Sequence, residues 1–204
     1  MTVTDTALRP QATSSRRHPA AFMEMLVSSV LGLIASLVLS IEAITLAADP
    51  NASLSCDISD KISCAQVGLS WQANLLGFPN SFLGLIAEPV VITIAVAALG
   101  GVRFPRWFMN AAMAVYFIGL AFAYWLFVQA YFYIGALCPW CLLITVTTTT
   151  VFMSLMRVCL AENTFRLPDR AHQRVQWALR AWMDIWLTVL IIAILAAMVI
   201  ARYL

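Results

Sequence analysis

Five runs of about 18 or more predominantly apolar residues dominate this chain, and a soluble fold has nowhere to hide so many. They lie near residues 22–47, 82–98, 107–128, 138–156 and 182–201. The composition says the same: 62% of the residues are hydrophobic and 11% charged, where a soluble domain runs nearer half and a quarter. The first run follows Arg16 and Arg17 as a signal peptide would. Its apolar stretch is about twice the usual 7–15-residue signal core, so it reads as a retained span. A net charge of +2 with no basic stripe excludes a nucleic-acid partner. The fold class is therefore all-α and integral to a membrane, with five transmembrane helices.

Lys and Arg set the direction of threading. Arg9, Arg16 and Arg17 precede the first span, and Arg103 and Arg106 separate the second from the third. Arg157, Arg166, Arg170, Arg174 and Arg180 lie between the fourth and fifth. Ten of the twelve basic residues thus share one side, leaving Lys61 and Arg202 on the other. The positive-inside rule puts the N-terminus in the cytoplasm and the C-terminus outside. Residues 1–20 read as a disordered cytoplasmic N-terminus and 21–204 as the membrane-embedded domain, with a long outer loop over 48–81.

Four of the five cysteines fall on the outer side, where disulfides persist. Cys56 and Cys64 lie in the long loop, and Cys138-Pro139-Trp140-Cys141 opens the fourth span. Cys159 is 21 residues further along that span, about 31 Å of helix, out of reach of the others. It reads as a small buried hydrophobe. A C-x-x-C motif alone serves zinc sites, structural disulfides and redox centres alike. Zinc fits poorly, because one couple is spaced by seven residues and both histidines, His18 and His172, are cytoplasmic. No metal is expected.

Redox chemistry accounts for the placement better. Cys138 stands at a helix N-terminus with Pro139 suited to the first helical position, and unpaired amide N–H groups favour a thiolate there. Cys141 is three residues on, about 4.5 Å deeper on the same face. A shallow thiol can then meet another dithiol while a deep one faces the bundle. The loop pair is either that other dithiol, on a mobile arm, or an ordinary structural disulfide closing a small loop.

The pattern Cys56-x7-Cys64, Ser70-Trp71, Gly77-Phe78-Pro79-Asn80-Ser81 and the C-x-x-C at the fourth span resembles the vitamin K epoxide reductase family, in particular its bacterial members. The likeness runs over roughly half the chain. It implies a four-helix bundle around a quinone pocket, with one peripheral helix. It implies catalytic roles for Cys56, Cys64, Cys138 and Cys141: Cys56 exchanging with a partner, Cys64 passing electrons to Cys138, Cys141 facing the quinone. Asn80 would hydrogen-bond a quinone carbonyl, with Phe78, Ser70 and Thr145 among the quinone contacts. The quinone would be of the menaquinone (vitamin K) or ubiquinone type. A separate thioredoxin-fold, DsbA-like protein would be the partner, since many relatives carry such a domain fused after the fifth span and this chain ends at Leu204. The vertebrate enzymes carry a tyrosine where this chain has Thr145.

The activity so implied is a thiol–disulfide oxidoreductase that supports disulfide formation. The alternatives are reduction of vitamin K quinone or epoxide as the main activity, and a non-catalytic membrane protein with static disulfides. Asn80 also suits a turn before a helix, and Thr145 and the Thr147–Thr150 run suit bonding to their own helix carbonyls. Glu88, beside Pro89 inside the second span, is a functional candidate as any intramembrane carboxyl is. Glu42 and Asp184 lie near span ends, where charge costs little, and receive no role. Tyr116, Tyr124, Trp125, Tyr131, Phe132 and Tyr133 read mostly as an interfacial aromatic belt, and some of them could line a quinone pocket.

Overall fold

The computed structural model describes residues 18–59 and 61–203. Most of the disorder expected for residues 1–20, and the basic residues Arg9, Arg16 and Arg17, lie outside the described residues. Among those described, the chain is helical, with isolated β-bridges in place of strands. In chain order the elements are α1 (Pro19–Ala48), a short α2 (Cys64–Gly68), a 3-10 turn (Trp71–Asn74), α3 (Ser81–Leu99), α4 (Arg106–Gln129), α5 (Pro139–Ala161), α6 (Asp169–Arg180) and α7 (Met183–Tyr203). Five of them, α1, α3, α4, α5 and α7, are long and apolar enough to cross a membrane, as the sequence led us to expect.

In a bilayer the solvent is as apolar as the side chains, so helices associate through close packing and polar contacts rather than through burial of oil. α1 shows how its sequence provides this. Ser29, Gly32, Ser36 and Ser40 recur at helical spacing and are buried, while Val27, Leu31, Ile34, Leu37 and Ile41 point outward and stay exposed. The small-residue stripe packs against α3 and α5. A Cβ on Gly84 of α3 would collide with Ser36 Oγ, and one on Gly32 would stand 2.9 Å from Glu88 Oε1. Ser40 Oγ then donates to Ser36 O at 2.7 Å and contacts Ser81 Oγ at 3.0 Å, tying α1 to the start of α3. α5 is the most buried span, packed on α1 and α4, and α7 is the least, touching α5 and α6.

The helix ends carry the rest of the positioning. α4 continues through a wide π-type turn at Ala130–Ile134, and Gly135, at φ 76°, stops it in a conformation that favours glycine. The chain then runs through Ala136 and Leu137 to Cys138. At the other end the sequence reading left residues 157–181 as a loop, whereas Asp169–Arg180 forms a strongly amphipathic helix. Pro168 precedes its first turn, Asp169 starts it and Arg180 ends it, each favourable to the helix dipole. Arg157 pairs with Asp184 at 3.1 Å across this end. Arg202, at the end of α7, stacks over Tyr131 at 4.6 Å, which brings the C-terminal end of the chain to the cysteine end of the molecule.

Candidate functional site

Asp57 organises the long loop. Its carboxylate accepts from Leu54 N–H at 2.8 Å, Ser63 Oγ–H at 2.7 Å and Ala65 N–H at 3.1 Å. Burial pushes this carboxyl up, but the bonds from Leu54, Ser63, Ala65 and Cys64 outweigh it and hold the group below its usual range. Those donors flank both loop cysteines, so one side chain folds the Cys56 turn back onto the first turn of α2. Ser63 caps α2 by accepting from Gln66 N–H at 3.1 Å. Cys56 and Cys64 form a disulfide with Cα atoms 5.7 Å apart.

Two backbone bonds then splice this loop to the segment ahead of α5. Ser63 N–H donates to Leu137 O at 3.1 Å, and Leu137 N–H donates to Lys61 O at 2.9 Å. The neighbours in sequence of those residues are Cys64 and Cys138, and their sulfurs lie 3.3 Å apart. Cys138 is the N-cap of α5, its sulfur accepting from Cys141 N–H at 3.3 Å, with Pro139 in the first turn. The helix position expected for this motif is therefore the one observed. The accessibility is not: Cys138 is buried beneath the loop rather than facing water. Cys56 is buried as well, at 5% exposure, so the arm expected to be mobile is docked in this state.

Beneath the sulfurs lies a cavity of about 470 Å³. Cys138, Cys141, Asn80, Ser70 and Thr145 line it, along with Glu88 and Tyr116 further down. Asn80 does not use its amide to cap α3. Its Nδ2 donates to Gln72 O at 2.6 Å, and its buried Oδ1 has no hydrogen-bond partner. Ser70 Oγ donates to Val67 O and Thr145 Oγ1 to Cys141 O, so both hydroxyl protons are already committed. Thr149 and Thr150 likewise bond carbonyls one turn back. Phe78 departs from expectation. It follows Gly77, whose φ of 83° turns the chain, and its ring stacks on Phe82 at 6.4 Å, away from the cavity wall.

Two groups escaped the sequence reading, and a third, Tyr116, is one of the aromatics among which the sequence does not distinguish pocket lining from belt. Tyr116 is buried rather than interfacial, and its hydroxyl donates to Glu88 Oε2 at 3.1 Å. Gln72 is buried and its carbonyl holds Asn80. Glu42, given no role for its place near a span end, is buried with Oε1 3.4 Å and Oε2 3.6 Å from Cys56 Sγ. Among the described residues Glu42, Cys56 and Cys64 bring potential ligand atoms within 4.8 Å. Both sulfurs are bonded to each other, which leaves a lone carboxylate to offer a metal. Cys159 is a free thiol buried among Phe22, Met25, Leu155 and Val158 at the far end of α5.

The arrangement is a disulfide in contact with a thiol, with a second thiol behind it on a cavity wall, which is the chemistry of thiol–disulfide exchange. No curated protein matches the chain. Residues 23–156, from the second turn of α1 to within a turn and a half of the end of α5, match the vitamin K epoxide reductase family. That stretch contains both cysteine pairs, the spliced loop and the cavity, so the chain belongs to the vitamin K epoxide reductase family and is a membrane oxidoreductase.

Proposed function

We propose that this protein oxidises a thioredoxin-fold, DsbA-like dithiol partner on the outer face of a bacterial inner membrane and passes two electrons through its cysteine pairs to a membrane quinone. The observation that carries the proposal is the 3.3 Å contact between Cys64 and Cys138, which is close enough for direct exchange between the two pairs.

The partner's thiolate attacks Cys56 and Cys64 leaves. Cys64 attacks Cys138 of an oxidised Cys138–Cys141 pair, and Cys141 leaves as the second electron-carrying thiolate. When the partner's second thiol releases Cys56, Cys56 attacks Cys64, re-forms the loop disulfide and frees Cys138. Every step exchanges one S–S bond for another, and the net change is one dithiol oxidised and one formed. The oxidation state of the structure, with Cys56–Cys64 closed and Cys138 and Cys141 as thiols, is the product of that sequence. The Cys141 N–H that donates to Cys138 Sγ is in place to bond that sulfur as it leaves. Because Cys56 is buried, the partner must first lift the loop from Leu137.

The cavity fits a quinone headgroup. It is predominantly apolar, it exposes Cys141 on one wall, and it contains an amide whose orientation is fixed by Gln72. Asn80 retains an unused N–H and an unpartnered Oδ1, a donor and an acceptor for the oxidised and reduced forms of a carbonyl oxygen. A bound quinone would supply a two-electron, two-proton acceptor for the Cys138–Cys141 dithiol. α1, α3, α4 and α5 would then be the bundle that surrounds it, with α7 outside.

Thiol trapping in cells tests the proposal. Cys64→Ser should accumulate a mixed disulfide between Cys56 and the partner, and quinone depletion should accumulate reduced Cys138 and Cys141. If both pairs stay oxidised whatever the quinone supply, the relay is wrong.

A further inference from the structure

Cys56 must lose a proton each time it attacks Cys64 and regain one each time the partner releases it. A thiol with an ordinary pKa of about 8.5 is only a few per cent ionised at neutral pH, so a nearby acceptor would govern its rate. Among the described residues, the side chain in contact with Cys56 Sγ that can take a proton is the Glu42 carboxyl of α1. Ser55 Oγ donates to Glu42 Oε1 at 3.1 Å, fixing the carboxyl from the residue that precedes Cys56. The carboxyl is buried and, among the described residues, makes no ion pair. A buried carboxyl with a hydroxyl donor and no cation is a poor site for a standing negative charge and a good one for a proton in transit.

We infer that Glu42 is the proton acceptor and donor for Cys56, taking the thiol proton as Cys56 attacks and returning it when Cys56 next leaves. The placement of this step in turnover rests on the relay proposed above. In the attack, the Cys56–Cys64 bond forms, the Cys64–Cys138 bond breaks, Cys138 departs as a thiolate and the Cys56 proton moves to Glu42. When the partner later opens the loop pair and its second thiol displaces Cys56, the departing sulfur recovers that proton. The cycle closes with Glu42 unchanged. The contact does not depend on the loop disulfide, because the Ser55 bond and the Asp57 clamp hold Cys56 from both sides. Other ionisable groups near enough to feel this charge are Asp57 on the loop and Cys141, with Cys138 beside it, on α5.

The test needs neither quinone nor partner. In full-length protein in lipid nanodiscs, with Cys64, Cys138, Cys141 and Cys159 replaced by Ser, Cys56 is the sole thiol. Its attack on neutral, chromogenic dithiodipyridine is followed between about pH 6 and 9. With Glu42 in place, the pair holds one proton over the neutral range, and the rate should be nearly flat with pH. In Glu42→Gln the free thiolate must react alone, so the rate should rise tenfold per pH unit below the thiol pKa and fall at least about tenfold short of the parent at pH 7. Glu42→Asp, with the carboxyl withdrawn by one methylene, should keep the flat profile at a lower rate, and it serves if the Gln chain does not fold. Parallel profiles in parent and variants would overturn the inference. If that happens while quinone-dependent turnover is intact, Glu42 alone is wrongly assigned. A flat parent profile without quinone-dependent turnover would instead remove the relay and keep the proton pair.

Discussion

The two ends of α5 carry the same residue in opposite circumstances. At its start, Cys138 caps the helix, takes an N–H from Cys141 and touches a disulfide. Near its end, Cys159 is equally buried but sits among Phe22, Met25, Leu155 and Val158. Burial therefore does not separate a reactive sulfur from an inert one. In the proposed relay electrostatic setting does: one thiol lies at the positive end of the helix dipole beside a disulfide, the other at the negative end in a packed apolar cluster. The same division runs through the whole molecule. The buried Glu42 and Glu88 carboxyls and the cavity gather at and below the Cys138 end, while a tightly packed apolar cluster surrounds Cys159 at the other.

The sharpest way to break this comparison is to remove the sulfur at the reactive end. Cys138→Ser should abolish quinone-dependent thiol oxidation, by about 10³-fold or more, as loss of a nucleophile that acts as part of a unit does. Thermal unfolding should change little, because serine can still accept at the N-cap. Residual turnover within tenfold of the parent would show that Cys64 has another route to the quinone.

Asn80→Ala addresses the cavity rather than the sulfurs. It removes the amide that Gln72 orients, and about a tenfold weaker apparent quinone affinity is expected, the worth of roughly one hydrogen bond. Cys56–Cys64 should still be reduced by a small dithiol at the parent rate. If that reduction slows as well, Asn80 acts by holding the loop through Gln72 O and not through the quinone.

Asp57 sharpens the comparison by pH. Its carboxyl is held below its usual range in the folded loop, so its contribution to docking is complete above the unfolded-state pKa near 3.8. It is lost as pH falls through the lower folded value. The loop should therefore stay protected from proteolysis down to acidic pH, and Asp57→Asn should expose it already at neutral pH. Equal protection in parent and variant would mean that the Lys61, Ser63 and Leu137 backbone bonds suffice.

Much of this molecule was legible in the sequence for a physical reason: hydrocarbon admits few structures. All five spans fall within a few residues of the apolar runs, and Pro139 after Cys138 marked a helix start that is there. Local chemistry was legible too, as in the threonine hydroxyls that bond their own helix. What stayed hidden depends on how distant segments meet. Nothing in Lys61-Ile62-Ser63 announces pairing with Leu137, because backbone groups carry no side-chain signature, yet that pairing sets Cys64 against Cys138. Glu42 was discounted because charge near a span end usually reaches water, and only the folded loop shows that Cys56 covers it. Phe78 was read from its place in a motif, while the turn at Gly77 decided where its ring went. The 12-residue α6 was passed over because its polar face masked a helical period in a search for apolar runs.

The smallest effect belongs to the other end of α5. Cys159→Ala removes a sulfur set among packed apolar side chains, with Thr164 as a polar contact and far from the other four cysteines, so it should leave quinone-dependent oxidation within twofold of the parent. It should cost about 1 kcal/mol of stability, read as a slightly lower unfolding midpoint in detergent, because the cluster around Met25 and Leu155 closes incompletely over a small void. Cys159→Leu supplies the complementary strain: extra volume in a close-packed site costs about 1–3 kcal/mol. It should lower the midpoint further and again spare the chemistry, which lies about 31 Å away along the helix. A loss of oxidation in Cys159→Ala without a loss of stability would mean that the far thiol joins the exchange, and the division of the molecule into a reactive and an inert end would fail.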